Sequence, residues 1–331
     1  MRRTFFLVFA VLLLFPFRST ASSFTQMVVF GDSLSDTGNL YIATGGTPAP
    51  PGYSSGLFTD GPNSYPSTTS PLGVWDQQLS GMLGLPSPTP YLTGGTNYAY
   101  GGALTETPTG SNIPGVVQQV GIYLGSHTPS SSALYTVWAG ANDLFASPTA
   151  LTAQTAVSNL QSSINALYAA GARNFLWLNM PPLGSTPDFL NNTVYSTIFN
   201  NVSQLYNADW RQAISSLYKT DPGIRITGVN IYGLDESILA DPAAYGFTDV
   251  TDPAQGLSGV NPNEYAFWDG VHPTTEGHYW IARTAYQDLV PEPPTVLLFG
   301  ICLLAAVLWM GLVSRKRSFL CNMRRSGKGV A

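Results

Sequence analysis

The 331-residue chain has almost no cysteine: Cys302 and Cys321, both within its last thirty residues. Residues 23–289 therefore offer no disulfide, no thiol nucleophile and no cysteine-ligated metal. Charge is scarce too, at 10% of residues, and positive charge scarcest. Nine of the fourteen Lys and Arg lie in the two end segments, leaving only Arg173, Arg211, Lys219, Arg225 and Arg283 in between. All nineteen acids fall between Asp32 and Glu292. A body so short of cations repels nucleic acid and anionic headgroups and favours solubility, so nucleic acid is excluded as a partner. There are three histidines, His127, His272 and His278, and no His-Glu-x-x-His. No metal site is recognisable and no cofactor is expected. There is no internal repeat.

Long apolar runs occur only at the two ends. Residues 1–22 combine Arg2 and Arg3, an apolar run over 5–17, and small residues Ser19 and Ala21. This is the make-up of a secretory signal, with cleavage by signal peptidase expected at or near Ala21. At the other end, Pro291-Glu292-Pro293 precede an uncharged run over 295–313, long enough to span a bilayer core. Arg315-Lys316-Arg317 follow, which by the positive-inside rule keeps the tail cytoplasmic. The order Pro-Glu-Pro, single span, basic cluster resembles the PEP-CTERM sorting signal. That resemblance implies membrane association through the C-terminal helix, then processing by an exosortase-type enzyme at the envelope of matrix-building bacteria. A permanent membrane anchor is the alternative. Three parts are expected: signal peptide 1–22, a globular domain 23–289, and a sorting segment 290–331, with the middle exported to the cell envelope or extracellular matrix.

Within the middle, short β-branched and aromatic runs at 27–30, 96–100, 134–139, 174–180 and 224–231 predict buried strands. Helical patterns lie near 74–83, 113–124, 152–170, 194–219 and 275–289. In 152–170, Ala156, Leu160, Ile164 and Leu167 form a one-face stripe that Gly171 ends. Strand and helix alternating five times predicts an α/β fold: a central parallel sheet of about five strands, flavodoxin-like, with helices on both faces. Residues 43–72, rich in Gly, Pro and Ser, read as a long loop after the first strand, bordering the binding crevice. The irregular stretch 241–264 is a second candidate border.

The first strand runs into Gly31-Asp32-Ser33, where small polar residues suit a turn. A serine nucleophile needs a base, usually His oriented by a carboxylate. His272 has Asp269 three residues before it and Pro273 after it, a spacing that brings the carboxylate to Nδ1 and leaves Nε2 facing outward. His278, beside Tyr279 and Trp280, reads as packing or capping, and His127, in a turn-like stretch, as solvated. Preorganised donors for a developing oxyanion are the remaining need. Gly101 and Gly102 follow the second predicted strand, and Asn142 follows the third. Gly52-Tyr53-Ser54-Ser55-Gly56 fits Gly-x-Ser-x-Gly, but the prolines before it and the polar stretch after it leave no strand and helix for a nucleophile elbow.

Four blocks in order resemble the GDSL, or SGNH, hydrolase family: Gly31 to Asn39 (GDSLSDTGN), Asn97 to Ala103 (NYAYGGA), Gly140 to Asp143 (GAND) and Asp269 to Pro273 (DGVHP). The resemblance implies a three-layer SGNH fold with Ser33 as nucleophile, His272 as base and Asp269 as its orienter. The oxyanion donors it implies are the Ser33 N–H, the Gly102 N–H (Gly102 rather than Gly101, as the second glycine of the family's block) and the Asn142 amide. Asp32 and Asp36 are read as fixing the loop. The expected activity is carboxylic ester hydrolysis of the esterase or lipase type through an acyl-enzyme, on a small-molecule, lipid or acylated-glycan ester. An exopolysaccharide O-acetylesterase of the same mechanism and a non-catalytic matrix-binding protein are the alternatives. Tyr53, Phe58, Tyr65, Tyr91 and Tyr98 are candidates either to line an acyl crevice or to pack.

Overall fold

The structure, a computed structural model, describes residues 24–48, 52–53, 56–61, 73–290, 300 and 304–309. The unit described below is Ser22–Leu289, which separates from the two ends of the chain. The predicted signal segment, and most of the predicted span and sorting segment, lie outside the described residues. Among the described residues no helix is long and apolar enough to cross a membrane.

Four strands, β1 (Met27–Gly31), β2 (Leu134–Trp138), β3 (Asn174–Leu178) and β4 (Arg225–Val229), form one parallel sheet in that order. Met27 pairs with Leu134, Leu134 with Asn174, and Asn174 with Arg225, so the carboxyl ends are level. Every residue of β1, β2 and β3 is buried, the pattern of strands covered on both faces. Successive side chains point to opposite faces. Val28 and Phe30 belong to the core layer that helices α3 (Val116–Ser126), α5 (Ala150–Ala169) and α7 (Thr193–Thr220) help to build. Met27 and Val29 belong to the opposite core layer, which α2 (Trp75–Met82), α8 (Ile231–Ala240) and α9 (Thr275–Leu289) help to build. The result is the predicted α/β architecture of three layers.

The predicted stripe of α5 is buried at all four positions, Ala156, Leu160, Ile164 and Leu167. Its first turn is capped by Thr149, whose side chain accepts the Thr152 N–H. Gly171, at φ 122°, turns the chain out of the helix.

The predicted strand at 96–100 differs. It lies against the free edge of β1, with Val29 N–H donating to the Thr96 carbonyl at 3.0 Å and Tyr98 N–H to the Val29 carbonyl at 2.8 Å. Yet only Asn97 makes a bridge there. The next bond of a parallel ladder would run from Gly31 N–H to the Tyr98 carbonyl, but Gly31 N–H donates to Gln119 Oε1 at 2.9 Å, so the pairing stops although Tyr100 N–H still reaches the Gly31 carbonyl at 3.2 Å. Short helices α1 (Asn39–Thr44), α4 (Ala141–Ala146) and α6 (Pro187–Leu190) start just beyond strand ends or in the connections. Within the irregular stretch 241–264, β5 (Asp249–Pro253) pairs in parallel with β6 (Tyr265–Phe267) as a separate two-stranded sheet.

Candidate active site

Gly31 closes β1 in a place where a side chain does not fit: a Cβ there would stand 2.6 Å from the Trp138 carbonyl oxygen. The Gln119 amide pairs with both backbone groups of Gly31, at 2.9 and 2.8 Å, and fixes the strand end. Beyond it the chain turns, Ser35 N–H returning to the Asp32 carbonyl at 3.1 Å. Asp36 holds the rest of the turn. Its carboxylate accepts the N–H groups of Gly38 (2.8 Å), Asn39 (2.6 Å), Leu40 (3.1 Å) and Gly101 (2.8 Å).

That last bond sets the two glycines apart. The Gly101 N–H is engaged by Asp36, whereas the Gly102 N–H has no partner among the described residues. Gly102 sits at φ 75°, a conformation that favours glycine, and lines the cavity described below. Asn142, in the first turn of α4, donates one amide hydrogen to the Ala103 carbonyl at 3.0 Å, which leaves the other free. Its neighbour Asp143 is engaged elsewhere, accepting the Thr105 N–H at 3.0 Å and hydroxyl at 2.7 Å.

His272 arrives from the turn between β6 and α9. Its Nε2 lies 2.8 Å from Ser33 Oγ, and its Nδ1 lies 2.7 Å from Asp269 Oδ2. Asp269 Oδ1 accepts the N–H groups of Val271 (2.8 Å) and His272 (2.7 Å), so the Asp-x-x-His turn is closed by its own carboxylate. The structure thus brings Ser33, His272, Asp269, Gly102 and Asn142 together, and all but Asp269 line one cavity. Burial alone would raise the Asp269 carboxyl. The hydrogen bond and positive charge of His272, with the Tyr53 hydroxyl and Val271 N–H, hold it instead at about 2. Asp32, 2% exposed, is pushed up to about 7 by burial, which outweighs the hydrogen bond from the Leu34 N–H at 3.1 Å.

The cavity measures 440 Å³, and its walls are largely apolar, with Phe145, Phe189, Ile231, Ile238, Phe247 and Phe267 among them. Both predicted borders reach it: Phe58 from 43–72, and Phe247 and Val250 from 241–264. Of the other aromatic candidates, Tyr91 and Tyr98 stack at 4.9 Å away from the cavity, Tyr98 against Phe30. They pack; they do not line a crevice. Tyr65 and Ser54 lie outside the described residues. His278 is fully buried, its Nδ1 accepting the Trp75 N–H at 3.2 Å, and burial lowers it to about 3. His127 is exposed, stacked on Tyr123 at 5.1 Å. Among the described residues no group of three or more His, Cys, Asp or Glu is placed to hold a metal ion.

Some of what holds the site is invisible in any single motif. Asn39 Nδ2 donates to the Asn97 and Ala99 carbonyls at 2.8 and 2.9 Å. Asn97 Nδ2 donates to the Ser35 carbonyl at 2.6 Å and to Asp76 at 2.7 Å, and Trp75 Nε1 to Ser35 Oγ at 3.0 Å. Asn39 and Asn97 each belong to a quoted block, which was the available signal. Asp76 and Trp75 carry none. Tyr53, by sequence a candidate for the crevice or for packing, donates to Asp269 Oδ2.

The sequence profile of GDSL-like Lipase/Acylhydrolase matches residues 27–284. A Pseudomonas putida protein known as the uncharacterized protein in the trpE-trpG intergenic region is 30% identical, over 81% of this chain and 49% of its own length. This chain thus spans about half of that relative. The thermolabile hemolysin of Vibrio parahaemolyticus is 26% identical over 80% of this chain and 63% of its own. The phosphatidylcholine-sterol acyltransferase of Aeromonas hydrophila is 26% identical over 80% and 89%. Among solved structures, a lipolytic protein of the G-D-S-L family from Veillonella parvula aligns at TM-score 0.42 and 11% identity, over 80% of this chain and 97% of its own.

Proposed function

We propose, from the premise that the chain belongs to the GDSL-like lipase/acylhydrolase family and is by class a carboxylic ester hydrolase, that it cleaves esters through an acyl-enzyme on Ser33. The observation that carries this reading is the continuous path from Ser33 Oγ through His272 to Asp269, at 2.8 and 2.7 Å. Ser33 Oγ attacks the ester carbonyl while His272 Nε2 takes its proton. Asp269 holds the imidazole in the required tautomer and stabilises the imidazolium. The tetrahedral oxyanion is met by the N–H groups of Ser33 and Gly102 and the free amide hydrogen of Asn142. His272 then protonates the leaving alcohol. Water, deprotonated by His272, attacks the acyl-enzyme; collapse returns the proton to Ser33 and releases the acid. Asp32 and Asp36 shape the turn and pass no proton. The cycle needs no cofactor.

An apolar cavity of 440 Å³ is within the range of small-molecule sites and offers room beyond an acetyl group. The reading is therefore of the lipase type rather than an exopolysaccharide O-acetylesterase. Hydrolysis of p-nitrophenyl esters by wild-type protein should extend from acetate through octanoate, and Ser33→Ala should abolish it with circular dichroism unchanged. Activity confined to acetate would favour the deacetylase; full activity in Ser33→Ala would remove the assignment.

Export is part of the same proposal, supported by the composition of residues 1–22 and 290–331. The working form is placed at the cell envelope or in the extracellular matrix after signal-peptidase and exosortase-type processing, with the tail cytoplasmic until then. Mass analysis of the mature protein should find both segments removed. Retention of either one would contradict that part of the reading.

A further inference from the structure

The Gly/Pro/Ser-rich segment after α1 does more than border the cavity. It grips the Asp269–His272 turn at several points. The Gly52 carbonyl accepts Trp268 Nε1 at 2.7 Å and Gln255 Nε2 at 2.9 Å. The next residue, Tyr53, points its hydroxyl at Asp269 Oδ2, the same oxygen that receives His272 Nδ1. Phe58 then lays its ring against His272, with centroids 5.0 Å apart, and lies 5.6 Å from the Tyr53 ring. Thr59 Oγ1 donates to the Pro273 carbonyl at 3.1 Å, and Asp60 Oδ1 accepts the Thr275 N–H at 2.6 Å.

We propose that Tyr53 is a positioning residue of the hydrolytic site, setting through Asp269 the proton affinity of His272; this rests on the ester-hydrolase reading. Two donors on one carboxylate oxygen share its electron density. The phenol therefore draws charge away from the Asp269–His272 bond and leaves the imidazolium less stabilised than Asp269 alone would make it. Other ionisable groups nearby are Asp188, which faces Tyr53, and Asp32 and His278, which face His272. None of these three bonds to Asp269 Oδ2, so the tuning is assigned to the phenol.

The test is Tyr53→Phe, which removes the hydroxyl and keeps the ring against Phe58. With p-nitrophenyl butyrate, the acid limb of kcat/KM should move to higher pH by about half a unit. KM should be unchanged, since no substrate contact is lost. The proton NMR signal of His272 Nδ1–H should move downfield as its bond to Asp269 strengthens. A stronger donor of the same shape, 3-fluorotyrosine placed at position 53, should shift the limb to lower pH and covers the case of a poorly folded Tyr53→Phe. An active wild-type enzyme with superimposable limbs and an unmoved Nδ1–H signal in the variants would overturn the role of Tyr53 alone. A wild-type protein without esterase activity would overturn the hydrolase reading and this proposal together.

Discussion

The site has two halves that are built in different ways. The Ser33 half stands on the main sheet, at the ends of β1 and β2 and on the kinked segment beside β1. It is held by a buried polar network running through Asp36, Asn39, Asn97 and Asp76. The His272 half stands off that sheet, in the Asp269–His272 turn, closed by its own carboxylate and gripped by Gly52, Tyr53, Phe58 and Thr59. The sheet half gets its precision from long-range contacts between buried groups. The turn half gets it locally, and so can be changed with less cost to the fold. Damage to the turn should therefore appear mainly in activity, and damage to the network mainly in stability.

The largest expected effect is on the turn. Asp269→Ala removes the orienter of His272 and should lower kcat/KM on the order of 10⁴-fold, with a smaller loss of thermal stability than the network variant below. A comparable collapse in melting temperature would erase the distinction between the halves. Next comes the oxyanion side. Asn142→Ala takes away one donor and should lower kcat about 10²- to 10³-fold, with KM little changed. Asn97→Ala, in the network, strands the Ser35 carbonyl and the Asp76 carboxyl in a fully buried place and should cost about 3 kcal/mol of stability, read as a lower urea midpoint. Activity per folded molecule should fall far less than in Asp269→Ala.

The smallest effect is one of pH, and it has opposite signs in the two halves. Asp32 has a folded-state value of about 7 against 3.8 for the free group. Between these values the folded protein keeps a proton that the unfolded chain has released, so this contribution to stability declines as pH rises from about 4 through 7. Asp269, held at about 2, contributes stability above about 4 that is lost as pH falls toward 2. Asp32→Asn should therefore flatten the decline in melting temperature between pH 5 and 8 without altering it near pH 3. Asp235 and Glu276, also raised to about 7 by burial, preserve part of the slope. An unchanged slope would show that Asp32 is ionised in the fold.

Most of the sheet half was legible because its signals are local. Buried strands read as apolar runs, and the small or polar residues that end them stand where the carboxyl edge of a parallel sheet presents them. The Asp269–His272 pairing was legible for the same reason, being three residues apart. What sequence periodicity could not show was the break in pairing beside Gly31, where the Gln119 side chain takes a hydrogen bond that the neighbouring segment would have made. Nor could it show β5 and β6, short and only partly buried, so that they lack an apolar run. Tyr53 was least legible of all, since its segment has no period and its partner lies 216 residues away.

The central claim, that Ser33 is an activated nucleophile, is tested most directly by a fluorophosphonate probe followed by intact mass and peptide mapping. One adduct on Ser33 is predicted, absent from Ser33→Ala and formed far more slowly by His272→Ala. An unmodified wild-type protein, or an adduct on any other serine, would contradict it.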